Sequence, residues 1–296
     1  MRAETEKPPA EGGLGGTGIA GTLMGMGSLI VNGFRVETDG DTAYSSTLGG
    51  FEPASLAIGQ TLTIEATADA TGLLAKRVHV TYPLVGRVEV MGGAGRLRVA
   101  GVDVEAEPDG LTAVRAGERV LVSGVWRGDR VIAGRIDPAP GVSVSAIAGA
   151  VRIDRRSGRL VLGGRPLDIG RGIEEPAAGS FITVIGRAVA DRFIAEQLVP
   201  GRFTGAAGAL VQLSVDGYLD PITVPPRYAI AGLGHSFDPE ANLSAFKNVR
   251  ALFTGPYVGV FAVQSGIVLP ESFRARQALI QEMVAHPGSI QAQSTR

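Results

Sequence analysis

One spacing of glycines recurs along the chain and constrains it more than any other feature. Val85 to Pro138 reads VGRVEVMGGAGRLRVAGVDVEAEPDGLTAVRAGERVLVSGVWRGDRVIAGRIDP, and Ala148 to Pro200 reads AGAVRIDRRSGRLVLGGRPLDIGRGIEEPAAGSFITVIGRAVADRFIAEQLVP. Gly86 answers Gly149. Nine residues on, Gly95 answers Gly158, and six further Gly101 answers Gly164. Gly117 and Gly179 then each open a run that closes seven residues later, at Gly124 and Gly186. The period is 62 to 63 residues. Self-similarity at a fixed period marks one supersecondary unit used repeatedly.

The flanks carry the same frame more loosely. Gly21, Gly27 and Gly33 hold the first three places upstream, Gly59 opens QTLTIEA, and Ala66 takes the closing place. Downstream, Gly205 leads into a run through Leu213 and Gly217, and Asn248 to Gly255 copies the closing run. Each unit reads as five short strands; in the second copy these are Val85–Met91, Arg96–Val99, Val102–Glu105, Arg119–Val125 and Arg130–Ile136. Alternation in Arg119-Val120-Leu121-Val122-Ser123 has the period of two that a half-buried strand requires. Glycine between such runs supplies positive φ without a Cβ penalty. Asn32-Gly33 and Asp216-Gly217 are the strongest hairpin signals, because a type I′ turn needs positive φ twice. Five strands this short leave exposed edges unless they close, so a small OB-like barrel is expected.

The fold class that follows is all-β: four tandem five-stranded OB-like barrels in a rod, with one C-terminal α-helix. The expected division is a disordered leader 1–16, barrels at 17–83, 84–140, 141–201 and 202–270, and a helix with its tail at 271–296. The fourth barrel carries a long insert, 228–246. Short joints with Pro83, Pro138, Pro140 and Pro200 suggest barrels packed end to end. The helix follows Pro270 and stops at Pro287-Gly288, with Phe273, Leu279 or Ile280, and Met283 or Val284 on one face. It packs on the last barrel or docks a partner.

Composition removes several classes of function. The 43 Gly argue against a mainly helical protein. A 45% hydrophobic content at net charge −1 argues against disorder. The same near-neutral charge implies no global attraction to nucleic acid or anionic membrane. No Cys means no disulfide, thiolate metal site or cysteine nucleophile. Gly13 to Phe34 and Ala251 to Pro270 are uncharged and long enough to span a bilayer. The first carries eight Gly and the second Pro256, and both fit the β repeat, so no transmembrane span is expected.

Thr17-Gly18-Ile19-Ala20-Gly21, Gly27-Ser28-Leu29-Ile30-Val31-Asn32-Gly33-Phe34-Arg35-Val36-Glu37-Thr38 and Leu56 to Ile64 resemble a bacterial domain family of unknown function. It occurs in tandem copies in exported proteins and lipoproteins. The likeness is close over residues 16–82 and reaches the later copies only through the glycine frame. It implies small OB-like barrels in the periplasm or outside the cell, and no catalytic residues. The N-terminal sequence shows neither an apolar signal segment nor a lipobox Cys, which leaves open a lipid anchor lost with a signal peptide.

Motifs for chemistry are sparse. Gly16-Thr17-Gly18-Ile19-Ala20-Gly21 spells G-x-G-x-x-G, but a dinucleotide site needs a strand before it and a helix after it. His235 and Asp238, in the insert, are the one place where metal ligands gather. Arg152, Arg155, Arg156 and Arg159 form a basic cluster without interleaved aromatics, since Phe181 and Phe193 fall at core positions. The preferred reading is a non-enzymatic exported scaffold or assembly subunit, with no cofactor, no metal and no nucleic-acid partner. It would act by self-association or by contacts with other protein subunits, through Tyr257, Phe261, Phe273, Leu279 and Met283. The alternatives are a module binding a glycan or single-stranded nucleic acid, salt-sensitive through Arg155 and Arg156, and a metal-dependent enzyme at residues 235–242.

Overall fold

A computed structural model describes residues 15–68, 72–93, 95–112, 114–221, 228–230, 242–259, 261–287 and 293–294. The first unit contains β1 (Gly16–Gly25), β2 (Leu29–Val31), β3 (Phe34–Glu37), β4 (Ala43–Ser46), β5 (Gly49–Gly50), β6 (Thr61–Ala68) and β7 (Leu73–Val80). It closes in the order β1-β2-β3-β7-β6-β1, with β3 and β7 parallel and the short β4 and β5 added outside. The second unit contains β8 (Leu84–Met91), β9 (Arg96–Val99), β10 (Val102–Thr112), β11 (Arg119–Arg127) and β12 (Arg130–Pro138). It closes in the same order, β8-β9-β10-β12-β11-β8.

The third unit contains β13 (Ser145–Ala150), β14 (Arg152–Ile153), β15 (Leu160–Leu162), β16 (Arg165–Ile169), β17 (Phe181–Val189) and β18 (Arg192–Pro200). Its pairings follow the same sequence, but its first strand breaks at Val151 into β13 and β14. The fourth contains β19 (Leu210–Pro221), β20 (Tyr228–Ile230), β21 (Arg250–Pro256) and β22 (Ser265–Val268), with β23 (Gln293–Ser294) beyond, and the helix α1 is Phe273–Ala285. The protein is therefore all-β with one C-terminal α-helix. Two of the four expected barrels close by continuous ladders among the described residues, and the remaining strands lie outside them.

The glycine frame has a local cause. Three equivalent hairpins turn on residue pairs with positive φ twice: Asn32 and Gly33 (56° and 80°), Ala100 and Gly101 (50° and 78°), Gly163 and Gly164 (58° and 71°). The closing glycines do another job. The register slips at Gly124 and Gly186. A Cβ there would lie 2.2 Å and 2.0 Å from the carbonyl oxygens of Ile132 and Ile194, so the bulge admits only glycine without rearrangement. The Asp216-Gly217 hairpin does not form. Both residues lie inside β19, paired with Leu252 and Ala251, and their charge and small size serve packing rather than a turn.

The units do not run in a line. β1 pairs in parallel with β19, from Gly16 beside Leu210 to Ala20 beside Val215, so the first unit meets the fourth. That contact covers the edge that β19 would otherwise expose. β8 pairs with β13, and a single apolar core runs from Leu84 and Trp126 in the second unit to Val184 and Phe193 in the third. The expected rod gives way to units packed side by side. The described parts of the two stretches long enough for a bilayer hold β1, β2, β21 and β22, and no helix among the described residues is long and apolar enough to cross a membrane. The helix packs on the first and second units rather than on the last barrel alone. Phe273 and Ile280 are buried with Met24, Leu252 and Leu269, and Gln277 Nε2 donates to the Met24 carbonyl at 2.9 Å.

Candidate functional site: a groove on the second barrel

The outer face of the second barrel carries a groove of about 660 Å³. Its floor is β9 and β10. Leu97, Val99, Val102 and Val104 point into the core, so Arg96, Arg98, Asp103 and Glu105 alternate outward. In register, Arg98 lies opposite Asp103 and Arg96 opposite Glu105. One wall is the end of β8, with Val90 and Gly92; the other is the β11–β12 turn, Arg127 to Arg130. Val90 and Met91 are 56% and 47% exposed, a local apolar step beside the charged floor.

The charges are ordered by pairing. Arg98 meets Asp103 at 2.8 Å and Arg130 meets Glu105 at 3.3 Å. Asp129 is held from the third unit by Arg152, which also reaches Asp220 of the fourth at 3.6 Å. Burial keeps the Asp220 carboxyl above its ordinary range despite Arg152. Arg127 stacks over the Tyr218 ring at 5.0 Å and donates to the Asn248 carbonyl at 3.3 Å, both in the fourth unit. The wall turn is thus pinned by two neighbouring units, which fixes the groove's shape before any ligand arrives.

A second polar assembly is buried rather than open. Arg250 and Arg276 both donate to the Glu107 carboxylate, and Arg250 also holds Asp216 through two bonds of 2.7 and 2.6 Å. Burial alone would raise the Asp216 carboxyl, but Arg250 beside it holds it below its ordinary value. Thr22 of the first unit donates to Asp216 and accepts from Arg250 at 3.3 and 3.0 Å. This cluster ties three units to α1 and is closed to solvent, so it is a joint rather than a site. Glu65 forms a similar clasp. Its carboxylate accepts from the amides of Thr204, Gly205 and Ala206 and from the Thr204 hydroxyl at 2.7 to 2.8 Å.

The residues expected to face a partner are placed otherwise. Phe261 and Phe273 are fully covered within the chain. Tyr257 packs against the core of the fourth unit, and Leu279 and Met283 against the Met24–Leu252 cluster. Phe261 and Phe273 are thus spent inside the chain, while Tyr257, Leu279 and Met283 are half-buried against its own units and keep part of their surface. The G-x-G-x-x-G stretch is buried strand β1, not a phosphate loop. Arg155, Arg156 and Arg159 lie exposed between β14 and β15 and are not among the residues lining the groove, while Phe181 and Phe193 face the core. His235 and Asp238 lie outside the described residues. Among the described residues no cluster of three His, Asp or Glu is placed to hold a metal ion. In the sequence alone Arg98 and Asp103 read as ordinary surface charge. The usable signal was the outward charge alternation on two successive strands next to an Arg-Gly-Asp-Arg turn.

Residues 17–79, the first barrel, match a family described as a domain of unknown function (DUF5666). The match stops short of the groove. Neither a curated protein nor a solved structure matches the chain.

Proposed function

We propose that the protein is a non-enzymatic scaffold that works outside the cytoplasm and binds a polypeptide partner through the groove of the second barrel. The observation that carries this is the groove itself: a preformed concave surface of about 660 Å³ built from strand faces and pinned by two other units. Its mixture of paired charges and an exposed apolar step suits a protein chain. No aromatic ring is among its lining residues, so it offers no stacking platform for bases. Each lining carboxylate faces a guanidinium, an arrangement for recognition rather than for proton transfer. The location outside the cytoplasm rests on the resemblance of residues 16–82 alone.

The test is a selection from a random displayed-peptide library with the full chain as bait, followed by hydrogen exchange of the complex. Enriched peptides are expected to slow exchange in β8, β9, β10 and the β11–β12 turn. No enrichment, or protection confined to another face, would refute the reading.

A further inference from the structure

We propose that the groove takes an extended acidic peptide segment, whose carboxylates are met by Arg96 and Arg127. The inference rests on the reading of the groove as a partner surface and names the chemistry of that partner.

Charge supplies the first argument. The groove is lined by four guanidinium groups and three carboxylates. Arg98 and Arg130 are matched within it by Asp103 and Glu105, and Asp129 is taken by Arg152 from outside. Arg96 and Arg127 have no carboxylate partner among the described residues. Arg127 is held in place by the Tyr218 ring, a neutral contact that leaves its charge uncompensated. The electrostatic complement of this surface is therefore acidic, and a planar guanidinium binds a carboxylate through paired bonds.

Geometry supplies the second. β9 lies between β8 and β10, and β10 between β9 and β12. A ligand cannot extend either strand, because both ladders are already occupied; it must be read through side chains rather than through backbone pairing. The outward residues repeat every second position along β9 and β10, and an extended peptide repeats with the same period. Val90 lies across from Arg98 and offers an apolar contact beside the charge. Alternating acidic and apolar residues match that pattern. A phosphate backbone would also suit the arginines, but Asp103, Glu105 and Asp129 oppose a continuous polyanion, and no ring is present for bases.

Fluorescence polarisation with the full chain tests this. The probes are a labelled octapeptide alternating Val and Glu, the same peptide with Lys for Glu, and labelled oligo-dT of equal length. The Glu peptide is expected to bind, more weakly as salt rises, and the Lys peptide at least about tenfold less tightly. Arg96→Gln should weaken the Glu peptide about tenfold, while Arg156→Gln, exposed on the third unit, should leave it unchanged. Thermal unfolding of each variant checks that the fold is retained. Equal affinity for the two peptides, unchanged binding by Arg96→Gln, or tighter binding of oligo-dT would overturn the proposal. Selected peptides that protect the groove but lack acidic residues would overturn it while leaving the groove reading intact.

Discussion

Glu107→Ala should be among the most damaging single substitutions available in this protein. Glu107 bridges the two arginines of a charge chain that joins the second unit, the fourth unit and α1, and its side chain and those of Arg250 and Arg276 are each 1% exposed. Without the carboxylate, Arg250 still has both oxygens of Asp216 at 2.7 and 2.6 Å. Arg276 is left with the carbonyls of Pro270 at 2.9 Å and Glu271 at 3.4 Å, and its Nε already has no partner. One stranded guanidinium, not two, therefore sets the cost. Breaking a buried pair in this way costs about 3–5 kcal/mol. Arg276→Met should cost less, because Glu107 keeps Arg250. The double variant Glu107→Ala, Arg276→Met should fall well short of the sum of its parts, a coupling of about 1–3 kcal/mol. The assay is urea unfolding followed by far-UV circular dichroism and by Trp126 emission, in low and high salt. The loss should not vary with salt, since buried pairs are little screened. A loss under about 1 kcal/mol, or additive costs in the cycle, would refute the argument that this cluster locks α1 to the units.

Three further outcomes follow from the same structure. Burial alone would raise Glu65 and Asp216, but the Thr204 and Ala206 amides hold Glu65, and Arg250 holds Asp216, below their ordinary values of 4.5 and 3.8. Their folded values lie below the unfolded ones, so their stabilisation is present above those values and is lost as pH falls through the folded ones; Glu65→Gln should flatten the acid limb of a stability–pH curve. Burial, with Arg77 and Arg202 nearby, lowers His79 from 6.5 to about 3, so below 6.5 the unfolded chain takes up a proton that the folded chain refuses. Stability should decline as pH drops from 6.5 toward about 3, by at most about 1.4 kcal/mol per unit, and His79→Gln should remove that part of the slope. Finally, a Cβ at Gly149 would lie 2.8 Å from Trp126 Nε1, which donates to the Ala148 carbonyl. Gly149→Ala should cost about 1–3 kcal/mol and shift Trp126 emission to the red.

The Glu65 clasp, the Glu107 cluster and the groove wall each depend on residues remote in sequence. Arg250 and Glu107 are 143 positions apart, and Thr22 and Arg250 are 228 apart. In the sequence they read as ordinary polar residues, because nothing beside them announces a partner. Phe261 and Phe273 show the converse. Their apolar character was legible, but whether it faced a partner or the chain's own units depended on where β1, β10 and α1 came together.

The β class, the strand runs, the C-terminal helix and the Asn32-Gly33 hairpin were legible in the sequence, and the glycine frame marked the turns at Gly101 and Gly164. Those features depend on φ at a given residue and on alternation along a single strand, which are local properties. The tertiary structure decided that β1 pairs with β19, that Asp216-Gly217 continues a strand, and that two of the four expected barrels close by continuous ladders among the described residues. It also decided that Arg152 and Tyr218 from neighbouring units pin the groove wall. Contacts between units are made by surfaces whose residues share no spacing in the chain, so no periodicity could reveal them.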